Sequence, residues 1–66
     1  MVTTSPPRTT GLDLRLQRVA RQVTQTQIAA VLGVRPQAVS NVEALLRPTP
    51  AAIERYLSAL ERVSTQ

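Results

Sequence analysis

The stretch TQTQIAAVLGVRPQAVSNVE, residues 24–43, decides how this 66-residue chain is read. It holds two apolar-periodic segments on either side of Gly33. The first opens on Thr24-x-x-Gln27, a capping box. There the threonine hydroxyl accepts a backbone N–H that the first helical turn leaves unpaired, and the glutamine side chain reaches back to the cap. Ile28, Ala29 and Leu32 follow at helical spacing as an inner face. Gly33 suits the left-handed residue that ends a helix. Pro36 suits the first turn of the next, where its missing N–H has no partner to lose. Val39, Val42 and Leu46 form the inward face of that third helix, expected to run to about Leu46. At about 100° per residue, Gln37, Ser40, Asn41 and Ala44 share the opposite face. Solvated helix faces are normally charged, and Ser and Asn are mediocre helix formers. A polar but neutral face is suited instead to hydrogen-bonding a specific target.

Working outward, residues 1–11 read as a flexible N-terminal tail of Thr, Ser and Pro with Arg8, and residues 12–63 as the domain. Leu12, Leu16, Ala20 and Val23 recur at i, i+4, i+8 and i+11, which predicts the buried face of a first helix flanked by Arg15, Arg18 and Arg21. Pro48 and Pro50 stop the third helix. Thr49-Pro50 reads as the cap and first turn of a fourth, over about 51–62. Ile53, Leu57 and Leu60 are expected to complete the core. A second stripe, Ala52, Tyr56, Ala59 and Val63, lies to the side without an obvious partner in so small a chain. It holds the only aromatic residue, a type favoured at interface centres, and predicts the dimer interface. The expected fold is all-α: four short helices with a tight turn between the second and third.

Composition bounds the function. A single core of this size yields roughly 3–5 kcal/mol, so oligomerisation would help. Without Cys or His there is no disulfide, no Cys/His zinc site and no thiolate or imidazole catalysis. Asp13, Glu43, Glu54 and Glu61 do not cluster as metal ligands, so an enzyme, a metal site and a cofactor are not expected. No apolar leader or membrane span is present, and no small-molecule ligand is evident. The expectation is a soluble, cytoplasmic protein. All eight basic residues are Arg, and the net charge is +4. Arg without Lys fits a GC-rich coding sequence equally well, but that does not explain the sign. A positive excess fits a polyanionic partner, usually nucleic acid.

The stretch VTQTQIAAVLGVRPQAVSNVE resembles the helix-turn-helix of the Cro and lambda-repressor-like proteins, the XRE family, and the likeness spans roughly residues 12–60. It rests on Arg18, on Thr24-Gln25, on Ala29 and Leu32-Gly33-Val34 around the turn, and on Val39, Ser40 and Glu43. The resemblance implies that the third helix enters the major groove of double-stranded DNA, with Arg35, Pro36, Gln37, Ser40 and Asn41 at base-facing positions. Asn and Gln can each bind adenine N6 and N7 with two bonds, and Ala44 lets the helix lie close to the DNA. It implies backbone contacts from Thr24 and Gln25 at the positive end of the second helix, from Ala44 and Arg47, and from Arg18. It also implies an internal Arg18–Glu43 ion pair, and leaves Arg8 as a possible groove-entering arm. The implied function is a dimeric repressor reading an inverted repeat. The alternatives are a DNA-binding antitoxin, because RYLSALE resembles the end of many antitoxins, and a protein–protein adaptor using the same surface. Leu45 stands where the family has Gly, which predicts a longer third helix. Arg35 replaces the usual Ser or Thr cap. A counterpart of the fifth helix of phage repressors is not expected.

Overall fold

A capping box opens the first helix, and it lies earlier than the expected domain boundary. In the computed structural model, which describes residues 9–64, the Thr10 hydroxyl accepts the Asp13 N–H at 3.1 Å. The Asp13 carboxylate accepts the Thr10 N–H at 3.0 Å. Helix α1 therefore spans Gly11–Ala20, followed by α2 (Gln25–Leu32), α3 (Pro36–Ala44) and α4 (Pro50–Ser64). No strand occurs among the described residues. The expected tail thus loses its last two residues to the domain. Gly11 is required where it stands. A Cβ there would run into the carbonyl oxygens of Val42 and Glu43, and its N–H donates to the Leu45 carbonyl at 2.8 Å.

That contact sets the register of α1, and the expected inner stripe is corrected by it. Gly11, Leu14 and Arg18 face inward. Leu12 and Leu16 are 55% and 57% exposed, and Ala20 is exposed as well. Only Val23 of the expected stripe is buried, and it lies beyond the helix. The periodicity was real but belonged to the outer face. Two interactions outweigh it: the close approach at Gly11, and the buried bond of Arg18 to Glu43. Helix α1 closes with Gln22 in the left-handed region at φ 58°. The Val23 N–H there donates to the Arg18 carbonyl at 3.1 Å.

Helices α2 and α3 follow the expected plan. Thr24 and Gln27 form the capping box. Gly33 takes φ 73°, and the Val34 N–H returns to the Ala29 carbonyl at 3.0 Å. Pro36 is the first residue of α3. Helix α3 does not run on to Leu46, however. It ends at Ala44, Leu45 turns extended, and Leu46 is 75% exposed rather than inward. The Leu45 carbonyl is turned to Gly11, and Pro48 biases Arg47 before it away from helix.

Helix α4 starts where expected, with the Thr49 hydroxyl accepting the Ala52 N–H at 3.1 Å, and continues to Ser64. Its two apolar stripes change roles. Tyr56 and Ala59, expected at a dimer interface, lie in the core of the domain itself with Leu60, and Tyr56 is 1% exposed. Ile53, Leu57, Ala52 and Val63 are half-buried at the margin. At about 100° per residue the two stripes interleave on one wide apolar face, with Tyr56 and Leu60 nearest its centre. The core comprises Leu14, Val23, Ile28, Ala29, Val39, Tyr56, Ala59 and Leu60.

Candidate nucleic-acid interface

Helix α3 is fastened from behind by apolar packing at Val39 and by the buried carboxylate of Glu43. Val39 is fully buried, and one turn on, Glu43 is 8% exposed. The Glu43 carboxylate receives donors from the other three helices. Arg18 of α1 donates through Nε to Oε2 at 2.7 Å and through Nη2 to Oε1 at 3.2 Å. Gln25 of α2 donates through Nε2 to Oε1 at 3.0 Å. The Tyr56 hydroxyl of α4 donates to Oε2. Burial alone would push the Glu43 carboxyl up. The bonds from Arg18, Tyr56 and Gln25, with the Arg18 charge, outweigh it and hold the group below its ordinary range. The bond to Glu43 raises Arg18 further, and burial together with Glu43 pushes the Tyr56 phenol well above its ordinary value. The carboxylate is thus ionised and the phenol protonated across the neutral range.

The implied Arg18–Glu43 pair is therefore present. The implied phosphate contact of Arg18 is not supported, because its third nitrogen, Nη1, donates inward to the Val23 carbonyl at 2.8 Å and the residue is buried. A guanidinium held on three sides inside the domain is a structural cation.

With its back so fixed, α3 presents its front to solvent. Gln37, Asn41 and Ala44 are exposed, and Ser40 is half-buried. The Gln37 Nε2 donates to Asn41 Oδ1 at 3.0 Å, so the two amides form one bonded unit along the helix. Pro36 and Arg35 lie exposed at the start of α3, and Arg35 makes no side-chain cap bond. Arg47 is exposed in the loop after α3 beside a surface hollow lined by Thr9, Pro48 and Ile53.

At the start of α2, Thr24 accepts the Gln27 N–H at 3.1 Å. The backbone N–H groups of Gln25 and Thr26 lie in the first turn, where no intrahelical acceptor exists. Gln25 joins that end of α2 to α3 through Glu43. Arg8 lies outside the described residues. Two functional features escaped the sequence reading: the Tyr56 hydroxyl on Glu43 and the Gln25 bond to the same group. The available signal was that a buried tyrosine needs a partner for its hydroxyl. Among the described residues no group of His, Cys, Asp or Glu could hold a metal ion, and no helix is long and apolar enough to cross a membrane.

The model of a helix-turn-helix family matches residues 14–66. Comparison with curated proteins returned no match, and comparison with solved structures returned none either.

Proposed function

Because the chain belongs to the XRE-type, Cro/lambda-repressor-like helix-turn-helix family, whose members are DNA-binding regulators, we propose that it is a transcriptional repressor reading an inverted-repeat operator as a pair of copies. The observation that carries this reading is the exposed, uncharged amide face of α3, anchored from behind by Val39 and Glu43. Gln37, Ser40 and Asn41, with Arg35 and Pro36 at the helix start, face base edges in the major groove. The Gln37–Asn41 bond leaves an oxygen and one N–H on Gln37 and both N–H groups on Asn41 for those edges. A Gln amide of that form suits adenine N6 and N7, and the Asn donors suit an acceptor on the adjoining pair, guanine O6 or N7 or thymine O4.

Phosphates are met by the N-terminal turn of α2 at Thr24 and Gln25, by Arg47, and by Arg35 where it does not reach a base. Ala44 keeps the bulk of α3 low against the backbone. A helix of nine residues is only about 13 Å long and spans about four base pairs. That is too short a site for operator specificity, which favours two copies on successive major grooves about 34 Å apart. The pairing surface then lies outside Tyr56 and Ala59. Repression follows from occupancy of promoter DNA. Selection of bound duplexes from a random pool tests the reading. The expected result is an inverted repeat with an adenine-containing half-site, and no enriched sequence would overturn it.

A further inference from the structure

Gln25 bears a side-chain amide with two N–H groups and one oxygen, and such an amide can meet a phosphate with either end. Only the N–H end is attractive. The Glu43 carboxylate decides between them, since it accepts one N–H of Gln25 at 3.0 Å and would repel the oxygen of the flipped amide. Glu43 is in turn held at both oxygens. Arg18 lies across Oε1 and Oε2, and the Tyr56 hydroxyl closes on Oε2 from α4. Both Tyr56 and Glu43 are buried, while Gln25 is half-buried at the exposed N-terminal end of α2. The chain of contacts therefore starts in the core and ends at the DNA-facing surface. We propose that Tyr56 is a positioning residue for DNA-backbone binding: through Glu43 its hydroxyl holds the Gln25 amide with one N–H on the carboxylate, which leaves the second N–H for a phosphate at the start of α2.

The inference rests on the DNA-binding reading above, and the following experiment separates the two. Duplex affinity is measured at one salt concentration for the parent, Tyr56→Phe, Gln25→Ala and the double variant, on one selected duplex and one unrelated duplex. Phenylalanine keeps the buried ring and deletes only the donor. Tyr56→Phe is expected to lose about three- to tenfold in affinity on both duplexes alike, as a backbone contact should. In the Gln25→Ala background the same change is expected to lose nothing further. Leu60→Val loosens the same core without touching Glu43 and is expected to leave affinity at the parent value. The proposal is overturned if Tyr56→Phe binds like the parent, if its loss persists undiminished without Gln25, or if Leu60→Val weakens binding as much. A parent that binds no duplex overturns the DNA reading and the inference together.

Discussion

Glu43 shows at the scale of one residue how the environment sets both stability and its pH window. Desolvation raises its carboxyl, but Arg18, Tyr56 and Gln25 bring it below the ordinary range. A carboxyl depressed in the folded state binds fewer protons there than when unfolded. Its stabilisation is therefore present above the ordinary carboxylate pKa and is lost as pH falls through the depressed value. Tyr56 has the opposite sign. Its phenol is raised, so its contribution is complete below the ordinary tyrosine value and is lost as pH climbs past it. Urea denaturation across pH is expected to show the parent weakening at both ends, with Glu43→Gln flattening the acid limb and Tyr56→Phe the alkaline one. At neutral pH, Glu43→Ala leaves the Arg18 cation buried and is expected to cost about 3 kcal/mol or more. A loss under about 0.5 kcal/mol, the size of an ordinary surface change, would place the pair in solvent. Two backbone positions give a second test with opposite signs. Gly33 has φ 73° with open space where a Cβ would stand, so Gly33→Ala is expected to destabilise by about 1 kcal/mol through φ alone. Gln22 adopts φ 58° without being glycine, so Gln22→Gly is expected to stabilise by several tenths of a kcal/mol. Thermal melts of the two variants moving in the same direction would contradict this account.

At the scale of elements, what the sequence shows depends on how local the cause is. The caps at Thr24 and Thr49, the turn at Gly33 and the start at Pro36 are local devices with residue signatures, and each stands where it was expected. The face of α1 was not legible, because it is set by partners distant in sequence: Gly11 against the end of α3, and Arg18 against Glu43. A stripe of aliphatics at helical spacing is ordinarily a buried face, yet here Leu12, Leu16 and Val19 stand about half exposed on the outer side. The same non-local contacts stop α3 before Leu46. On α4 the two adjacent apolar stripes do not separate into core and interface, because Tyr56 and Ala59 of the second stripe are buried beside Leu60 of the first. At the candidate site, the exposed positions on α3 and the Arg18–Glu43 pair were legible. The joining of Gln25 and Tyr56 through Glu43 was not, because it needs four helices in place. The α1 register has a direct test by chemical denaturation. Leu16→Glu is expected to change stability by no more than about 0.5 kcal/mol, whereas Leu14→Ala is expected to cost about 2–5 kcal/mol. The reverse order would restore the stripe to the core.

At the scale of the whole molecule, the eight arginines overstate what the proposed site offers to DNA, because not every Arg is placed to neutralise a phosphate. Arg18 is cancelled by Glu43 within the domain. The proposed contacts at the start of α2 come from neutral amides, which hold a phosphate without displacing a cation. Arg35 and Arg47 remain beside α3 as the charged groups of the site, both exposed. Each phosphate neutralised by a cation steepens the dependence of log affinity on log salt by about 0.9 on duplex DNA. A single copy using these two arginines is then expected to give a slope near −2, and a pair on an inverted repeat a slope near −4. Arg47→Ala in the pair should remove two of those contacts at once, flattening the slope by about 2 and weakening selected and unrelated duplexes alike. Gln37→Ala and Asn41→Ala should leave the slope unchanged and lose about 1–3 kcal/mol on the selected site only. Titrations over a range of salt, with the stoichiometry read by sedimentation on the same duplex, provide both numbers. A slope near −2 with one copy per operator would mean that a single domain reads the site. A slope unmoved by Arg47→Ala would take the loop after α3 off the DNA.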